Sequence, residues 1–186
     1  MFLRCGMIGL MIYFIRHGES EANLKHTFSG QKDDCLLTQK GKDQALAEGN
    51  KIKDLNIQID TIISSPLKRA LNTAQIVADA IGYRKEIIID QRIMEYDMGD
   101  LTFTPIHEIN SRQMAAAQNA EDTTVFFNRV KSFLDEYKNY KGNVLMVCHA
   151  GVGRIIETIK IQGDPILFYD LPPYSNAEII KLDWLR

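Results

Sequence analysis

Cysteine is scarce: Cys5, Cys35 and Cys148 are three in number and lack the close spacing of metal ligands. An odd set without such spacing argues against a disulfide framework and for a reducing, cytoplasmic setting. Cys148 ends an apolar run and reads as a small buried hydrophobe rather than a nucleophile. Charge of one sign is missing too. The 22 basic and 24 acidic side chains leave a formal net charge of -2, with no basic or acidic tail. The broad positive footprint of general nucleic-acid binding is therefore excluded. No apolar run reaches the ~20 residues that a membrane-spanning helix requires, so no membrane partner is expected. Repeats, low-complexity tracts and proline- or glycine-rich linkers are absent as well. With 45% hydrophobic and 25% charged residues, the composition is that of an ordinary globular chain, and disorder is excluded. A chain of 186 residues buries roughly 70% of its unfolded surface, enough for one domain with its own core.

The opening stretch, MFLRCGMIGLMIYFI, is a weak imitation of a signal peptide. It runs straight into RHGES without a small-residue cleavage site, and cleavage there would remove the strand before that motif. Residues 1–10 therefore read as a short extension, and the functional core is expected to span residues 11–184 of a single domain.

Four short apolar runs have the character of buried parallel strands: MIYFI (11–15), DTIIS (60–64), EIIID (86–90) and NVLMVC (143–148). AEIIKLDW (177–184) alternates more and suits an antiparallel edge strand. Between these runs lie helical patterns. Thr38 can cap a helix through Leu55, and Ser65 followed by Pro66 signals the start of another that continues through Ala78. Residues 123–137 place Phe126, Phe127, Val130, Phe133, Leu134 and Tyr137 on one broad apolar face, and 152–160 make a shorter helix. Alternation of strand and helix predicts a three-layer α/β/α sandwich, with a mostly parallel sheet and helices on both faces.

The unusual polar residues cluster at strand ends. Arg16 and His17 follow the first strand, Arg69 lies early in the helix after the second, Glu95 follows the third and His149 follows the fourth. In an open α/β sheet the carboxyl ends of the strands form the ligand crevice, so residues far apart in sequence can converge there. Taken singly, each is ordinary: a strand-end histidine is commonly structural, and a loop glutamate commonly pairs with a base. Together they form a specific chemical set. Two arginines offer rigid donor forks for a phosphate, one histidine can act as nucleophile, and a carboxyl group can give a proton to an ester oxygen and later take one from water.

The stretch from Met11 to Trp184 resembles the histidine phosphatase superfamily, in its phosphoglycerate-mutase-like branch and of the small phosphatase type. The resemblance rests on RHGES (16–20) with Asn23 and Ser29-Gly30, LTQKG (37–41), SSPLKRALNTA (64–74), MEYDMG (94–99) and CHAG (148–151), in that order. It implies that His17 is the nucleophile, passing through a phosphohistidine. It further implies that Arg16, Arg69 and His149 hold the phosphoryl oxygens and that Glu95 is the acid, then the base. Asn23 and the backbone N–H groups of Gly30 and Ala150 are implied as further phosphate donors. Ser29, His107, Tyr174 and Asn176 are candidates for contact with the rest of the substrate, as are Arg112 and Met114. The mechanism implied requires His17 to be unprotonated on its attacking nitrogen, with the other nitrogen donating to a carbonyl. No metal and no cofactor is implied, and the partner is a small phosphorylated metabolite. The sequence is silent on oligomeric state.

One departure follows Gly99, where Asp100-Leu101-Thr102-Phe103 replaces the family's usual aromatic, Glu and Gly; it leaves Asp97 and Asp100 as further candidates for the acid. Phosphoglycerate mutases of the family look longer and carry an added basic region, whereas the interval from Glu95 to His149 is short here. Hydrolysis of a phosphomonoester is therefore the expected reaction, with phosphoglycerate mutase, or a non-catalytic phospho-ligand binding protein, as the alternatives.

Overall fold

The computed structural model describes residues 11–185, so the expected extension at residues 1–10 lies outside the described residues. Five strands form one sheet in the order β3-β2-β4-β1-β5. Strand β1 (Met11–Arg16) runs parallel to β4 (Asn143–Cys148), with Met11 opposite Asn143 and Arg16 opposite Cys148. On its other side β4 pairs in parallel with β2 (Thr61–Ser64), which pairs in parallel with β3 (Ile88–Ile89). Strand β5 (Ile179–Lys181) closes the β1 edge as the one antiparallel member.

The period-2 alternation of side chains divides the core between two faces. Ile12, Phe14, Val144, Met146 and Cys148 face one way. They pack against α5 (Thr123–Tyr137) and α6 (Ala150–Lys160) through Phe126, Val130, Phe133, Val152 and Ile156. Ile15, Ile62, Leu145 and Val147 face the other way, against Ala45 and Ile52 of α2 (Gln39–Asp54) and Ala74, Val77 and Ala78 of α3 (Lys68–Ile81). The architecture is thus an α/β/α sandwich. Each fully buried Val, Leu, Ile, Phe or Met side chain among these contributes about 1.5–3 kcal/mol by leaving water. Two short helices, α1 (Glu21–Lys25) and α4 (Ser111–Ala115), lie in the connections, each with a side-chain capping box at its start. No helix among the described residues is long and apolar enough to cross a membrane.

Three local expectations need correction. The third strand is two residues rather than five, and Ile88 and Ile89 are exposed, because β3 is an uncovered edge and Asp90 ends it by capping the turn Gln91–Ile93. The final strand is shorter too. Ala177 adopts a left-handed φ of 52°, and only single bonds, Ala177 N–H to Arg16 O and Leu182 N–H to Ile12 O, extend the pairing. Helix α3 starts at Lys68, not at the Ser65-Pro66 pair: Leu67 stands at the cap position and gives no side-chain bond. The Ser65 amide still continues the sheet, donating to Val147 O at 3.0 Å, and its hydroxyl is used in the site described next.

Candidate active site

The connections leaving β1 and β4 go to opposite faces of the sheet, α2 on one and α6 on the other, which opens a crevice at the carboxyl ends of these adjacent strands. Parallel register does the positioning. The His17 amide donates to Cys148 O at 2.9 Å, so the ladder runs one residue past the strand and sets His17 beside His149, ring centroids 5.3 Å apart. The loop after His17 is pinned from two sides. Gly18 N–H donates to Thr73 Oγ1 of α3 at 3.0 Å, and a Cβ on Gly18 would fall 2.2 Å from Gly41 O at the start of α2. Glycine is required there by the close approach of two backbones.

His17 Nδ1 lies 2.7 Å from Gly18 O and must donate to it, which leaves Nε2 as the unprotonated nitrogen. Burial, reinforced by the charges of Arg69 and Arg16, holds the imidazole pKa well below the usual histidine value, so the ring is neutral. His149 is also fully buried and neutral for the same leading reason, with Arg69 and His17 adding to the effect. The Ser65 hydroxyl accepts from Leu67 N–H at 3.3 Å and lies 2.7 Å from His149 Nε2; we assign its proton to that bond, since the hydroxyl has no other acceptor among the described residues. The proton of His149 is then on Nδ1, a buried atom with no partner among the described residues.

Arg69 sits on the first turn of α3 and is completely buried. Two of its nitrogens donate to Gly30 O at 2.8 Å and Asp33 O at 3.0 Å, and Nε is left without a partner. Gly30 allows this with a φ of 53° and backs so closely on Met98 that a Cβ would meet Met98 N at 2.9 Å. Arg16 donates through one terminal nitrogen to Tyr174 O at 2.8 Å, and its Nε is likewise buried and unpartnered.

Glu95 arrives from the loop between the turns Gln91–Ile93 and Gly99–Leu101. Its Oε1 accepts from Tyr96 N–H at 2.9 Å and from Gly151 N–H at 3.1 Å, while Oε2 has only a shared 3.2 Å contact with Gly151. A Cβ on Gly151 would fall 2.1 Å from Oε1, so this glycine makes room for the carboxyl group. Behind the loop, Arg129 ties the carbonyls of Arg92, Met94 and Glu95 together and pairs with Glu121 at 2.7 Å.

These residues meet at a cavity of about 160 Å³. Arg16, His17, Asn23, Ser29, Gly30, Glu95 and Ala150 line it, and Arg69 and His149 are buried behind its floor beside His17. Asn23 Oδ1 accepts from Ser20 N–H and from Asn176 Nδ2, which leaves its own amide nitrogen for the cavity. Other expected contacts lie elsewhere. His107 and Arg112 are exposed and off the wall, while Ile106 next door is on it; Met114 is buried in the core. Asn176 supports from behind, donating to His17 O at 2.8 Å. Tyr174 gives only its carbonyl to the site, with its ring 5.1 Å from that of Phe14 and its hydroxyl bonded to Glu157. Asp97 and Asp100 line nothing here: one caps Gly99 N–H at 2.9 Å and the other accepts from Asn119 at the surface.

Sequence reasoning missed Phe28, Met98, Phe168, Pro173 and Arg154 on the wall. Only Arg154 had a legible signal, lying four residues after Ala150 and so on the helix face that looks into the site.

Known proteins resemble this chain in sequence and in fold. A 2,3-bisphosphoglycerate-dependent phosphoglycerate mutase of Thermoplasma acidophilum is 42% identical over 85 residues, covering 46% of this chain and 40% of that one. The curated relatives that the chain matches are covered over less than half of their own length. Among solved structures, an alpha-ribazole phosphatase from Shigella flexneri superposes with a TM-score of 0.77 at 24% identity, covering 93% of this chain and 90% of that one. A phosphoserine phosphatase from Entamoeba histolytica, solved with phosphoserine, gives 0.77 at 24% identity over 92% and 89%. These two share the fold. The family model of the histidine phosphatase superfamily (branch 1) matches residues 12–186, nearly the whole chain, and the chain belongs to that family.

Proposed function

We propose that this chain hydrolyses small phosphomonoesters through a phosphohistidine at His17. One observation carries the reading. The buried side-chain nitrogens without a partner among the described residues are Arg16 Nε, Arg69 Nε, Arg154 Nε and His149 Nδ1: Arg16 and Arg154 line the cavity with His17, whose Nε2 is free, and Arg69 and His149 are packed close to the His17 ring. Buried donors are costly to leave unmatched, so such a group is an anion site awaiting oxygen atoms.

The reaction follows from these positions. His17 Nε2 attacks phosphorus and the bond from phosphorus to the ester oxygen breaks. Charge on the equatorial oxygens is met by Arg16, Arg69 and His149, with Asn23 and the amides near Gly30 and Ala150 as further donors. The proton for the leaving oxygen comes from Glu95, on Oε2, the oxygen less engaged by backbone donors. Water then attacks the phosphohistidine, returns a proton to Glu95 and releases phosphate from a regenerated His17.

Hydrolysis is favoured over transfer by the composition of the wall. Between Glu95 and His149 the chain gives the cavity only Met98 and Ile106 besides Glu95 itself, so that interval supplies no cation to retain a departing phosphoglycerate. A colorimetric screen of small phosphomonoesters is expected to find inorganic phosphate release that His17→Ala abolishes. Unchanged release in that variant overturns the reading. Isomerisation with little free phosphate supports a mutase instead. Failure to trap phosphohistidine with the whole panel supports a binding protein.

A further inference from the structure

Glu95 stands on a stretch of chain that has no ladder of its own. Between the turns Gln91–Ile93 and Gly99–Leu101, no backbone N–H among the described residues donates to the carbonyls of Arg92, Met94 or Glu95. All three accept from one side chain instead. Arg129, on α5, donates through one terminal nitrogen to Arg92 O at 2.7 Å and Met94 O at 2.8 Å, and through the other to Glu95 O at 3.0 Å. Its two remaining N–H groups go to Glu121, Nε at 2.7 Å and the second terminal nitrogen at 2.8 Å. All five donors of the guanidinium are thereby used.

The clamp rests on the core rather than on another loop. Its Cζ lies 4.4 Å from the centroid of the Phe126 ring, which is fully buried one turn earlier on α5 and packs on Tyr96 at 5.4 Å. Its charge is matched by Glu121, so no unpaired cation is buried there. Glu121 also ties the far side of the loop, its N–H donating to Asp97 O at 3.0 Å.

The two nearest carbonyls are the informative ones. Met94 C=O belongs to the peptide group before the Glu95 Cα and Glu95 C=O to the one after it. Peptide groups are planar, so holding both fixes φ and ψ of Glu95 and the direction in which its side chain leaves the backbone. The carboxyl group then meets Gly151 N–H at 3.1 Å and faces the cavity, whereas Arg129 itself is not on the cavity wall. A proton donor must come within hydrogen-bond reach of the leaving oxygen.

We infer that Arg129 is a positioning residue for the general acid, aiming the Glu95 carboxyl group by holding the peptide groups on both sides of it. This rests on the phosphatase reading of the same site. An arginine suits the task because a rigid planar fork can hold three carbonyls and a carboxylate at once, which the single ammonium of a lysine cannot.

The test is Arg129→Lys, which keeps the charge beside Glu121 and loses the fork, read by single-turnover phosphorylation with two esters. Glycerol 3-phosphate needs a proton on its leaving oxygen, and nitrophenyl phosphate does not. The variant is expected to slow phosphorylation by glycerol 3-phosphate about 10- to 100-fold, the scale of a misplaced reacting group, and by nitrophenyl phosphate much less. In the Glu95→Gln background the same change is expected to cost nothing further with glycerol 3-phosphate, since the proton it would aim is already gone. Unchanged rates, equal losses on both esters, or losses that multiply in the double variant overturn the inference. The neutral pair Arg129→Gln/Glu121→Gln leaves no buried charge unmatched and answers the same question where the lysine variant does not fold. Phosphate release by the parent with equal losses on both esters in Glu95→Gln keeps the phosphatase reading and overturns the inference. No release from either ester by the parent overturns the phosphatase reading itself.

Discussion

The two ends of the cavity are built in different ways. At the phosphoryl end, Arg16, His17, Ser65 and His149 are each the last residue of a parallel strand or its immediate continuation. Backbone bonds from His17 to Cys148 and from Ser65 to Val147 carry the sheet into the site. At the leaving-group end, Phe28 comes from the connection after β1, Met98 and Ile106 from the one between β3 and α4, Phe168 and Pro173 from the one between α6 and β5, and Arg154 stands on α6. One end is thus fixed by the continuous ladder of the sheet, the other by loops that pack on one another and share a few backbone bonds. Chemistry that must be held to a fraction of an ångström sits on the rigid elements, whereas selectivity sits where sequence can vary at little cost to the fold.

Glu95 straddles the two ends, and its replacement is the sharpest way to separate them. Glu95→Gln keeps the acceptor oxygen for Tyr96 and Gly151 and removes the proton. For alkyl phosphates we expect kcat to fall by ~10²–10⁴-fold, the usual worth of a general acid. For a nitrophenyl ester the loss should be much smaller at the phosphorylation step, because that leaving oxygen departs without a proton. Single-turnover phosphorylation rates on both esters check this; equal losses would mean that Glu95 serves the phosphoryl end instead.

The phosphoryl end is also where the sequence was most legible, and for a physical reason. Strands β1 and β4 are buried on both faces, so they read as unbroken apolar runs, and a polar residue directly after such a run is conspicuous. The same logic failed at Ile88 and Ile89, which are apolar yet exposed on an edge. It failed again at Ser65-Pro66, where a hydroxyl that normally caps a helix is taken by His149 and the Leu67 amide. The leaving-group wall was illegible because its members have neither common period nor common element. His107 stood out as a polar residue near the site, but it is its apolar neighbour Ile106 that turns inward. Helix α1 went unnoticed although Ser20 and Asn23 form its capping box, since its five residues carry no apolar periodicity.

The burial that shapes the phosphoryl end has a cost in acid. His17 and His149 both have pKa values depressed in the folded protein, while in the unfolded chain they titrate near 6.5. Below that value the unfolded state takes up protons that the native state refuses, so stability falls as the pH falls. Each imidazole adds a slope of about 1.4 kcal/mol per pH unit. Urea melts from pH 7.5 to 5.5 should show full stability at the upper end and progressive loss below 6.5, above the range where carboxylates titrate. Replacing both histidines by asparagine should flatten that limb; a slope that survives would place its source outside the site.

Ser65 tests whether the ladder orients the chemistry or only supports it. Without its hydroxyl, His149 Nε2 has no donor to accept from, and the ring is free to carry its proton on the wrong nitrogen. Ser65→Ala should therefore reduce kcat by about 10-fold, in keeping with one buried group left unmatched. Ser65→Thr, which keeps the hydroxyl, should recover most of it. Nitrogen chemical shifts of His149 supply the readout that a general packing defect would not move: a shift of the proton from Nδ1 to Nε2 in the alanine variant only.

The smallest effect belongs to the segment after Gly99, where the sequence departs from its family and two further carboxylates compete with Glu95 on paper. Asp100 spends both oxygens on Asn119 at the surface, 3.1 Å from each, and neither it nor Asp97 reaches the cavity. The segment serves the wall through its backbone, since Phe103 N–H donates to Phe28 O at 2.7 Å and Phe28 N–H to Thr104 O at 3.0 Å. Those bonds hold Phe28 at the leaving-group end and do not depend on the Asp100 side chain. Asp100→Asn should leave kcat/KM within about 2-fold, as exposed polar substitutions away from a site ordinarily do. A loss approaching that of Glu95→Gln would move the acid to Asp100 and with it the boundary between the two ends.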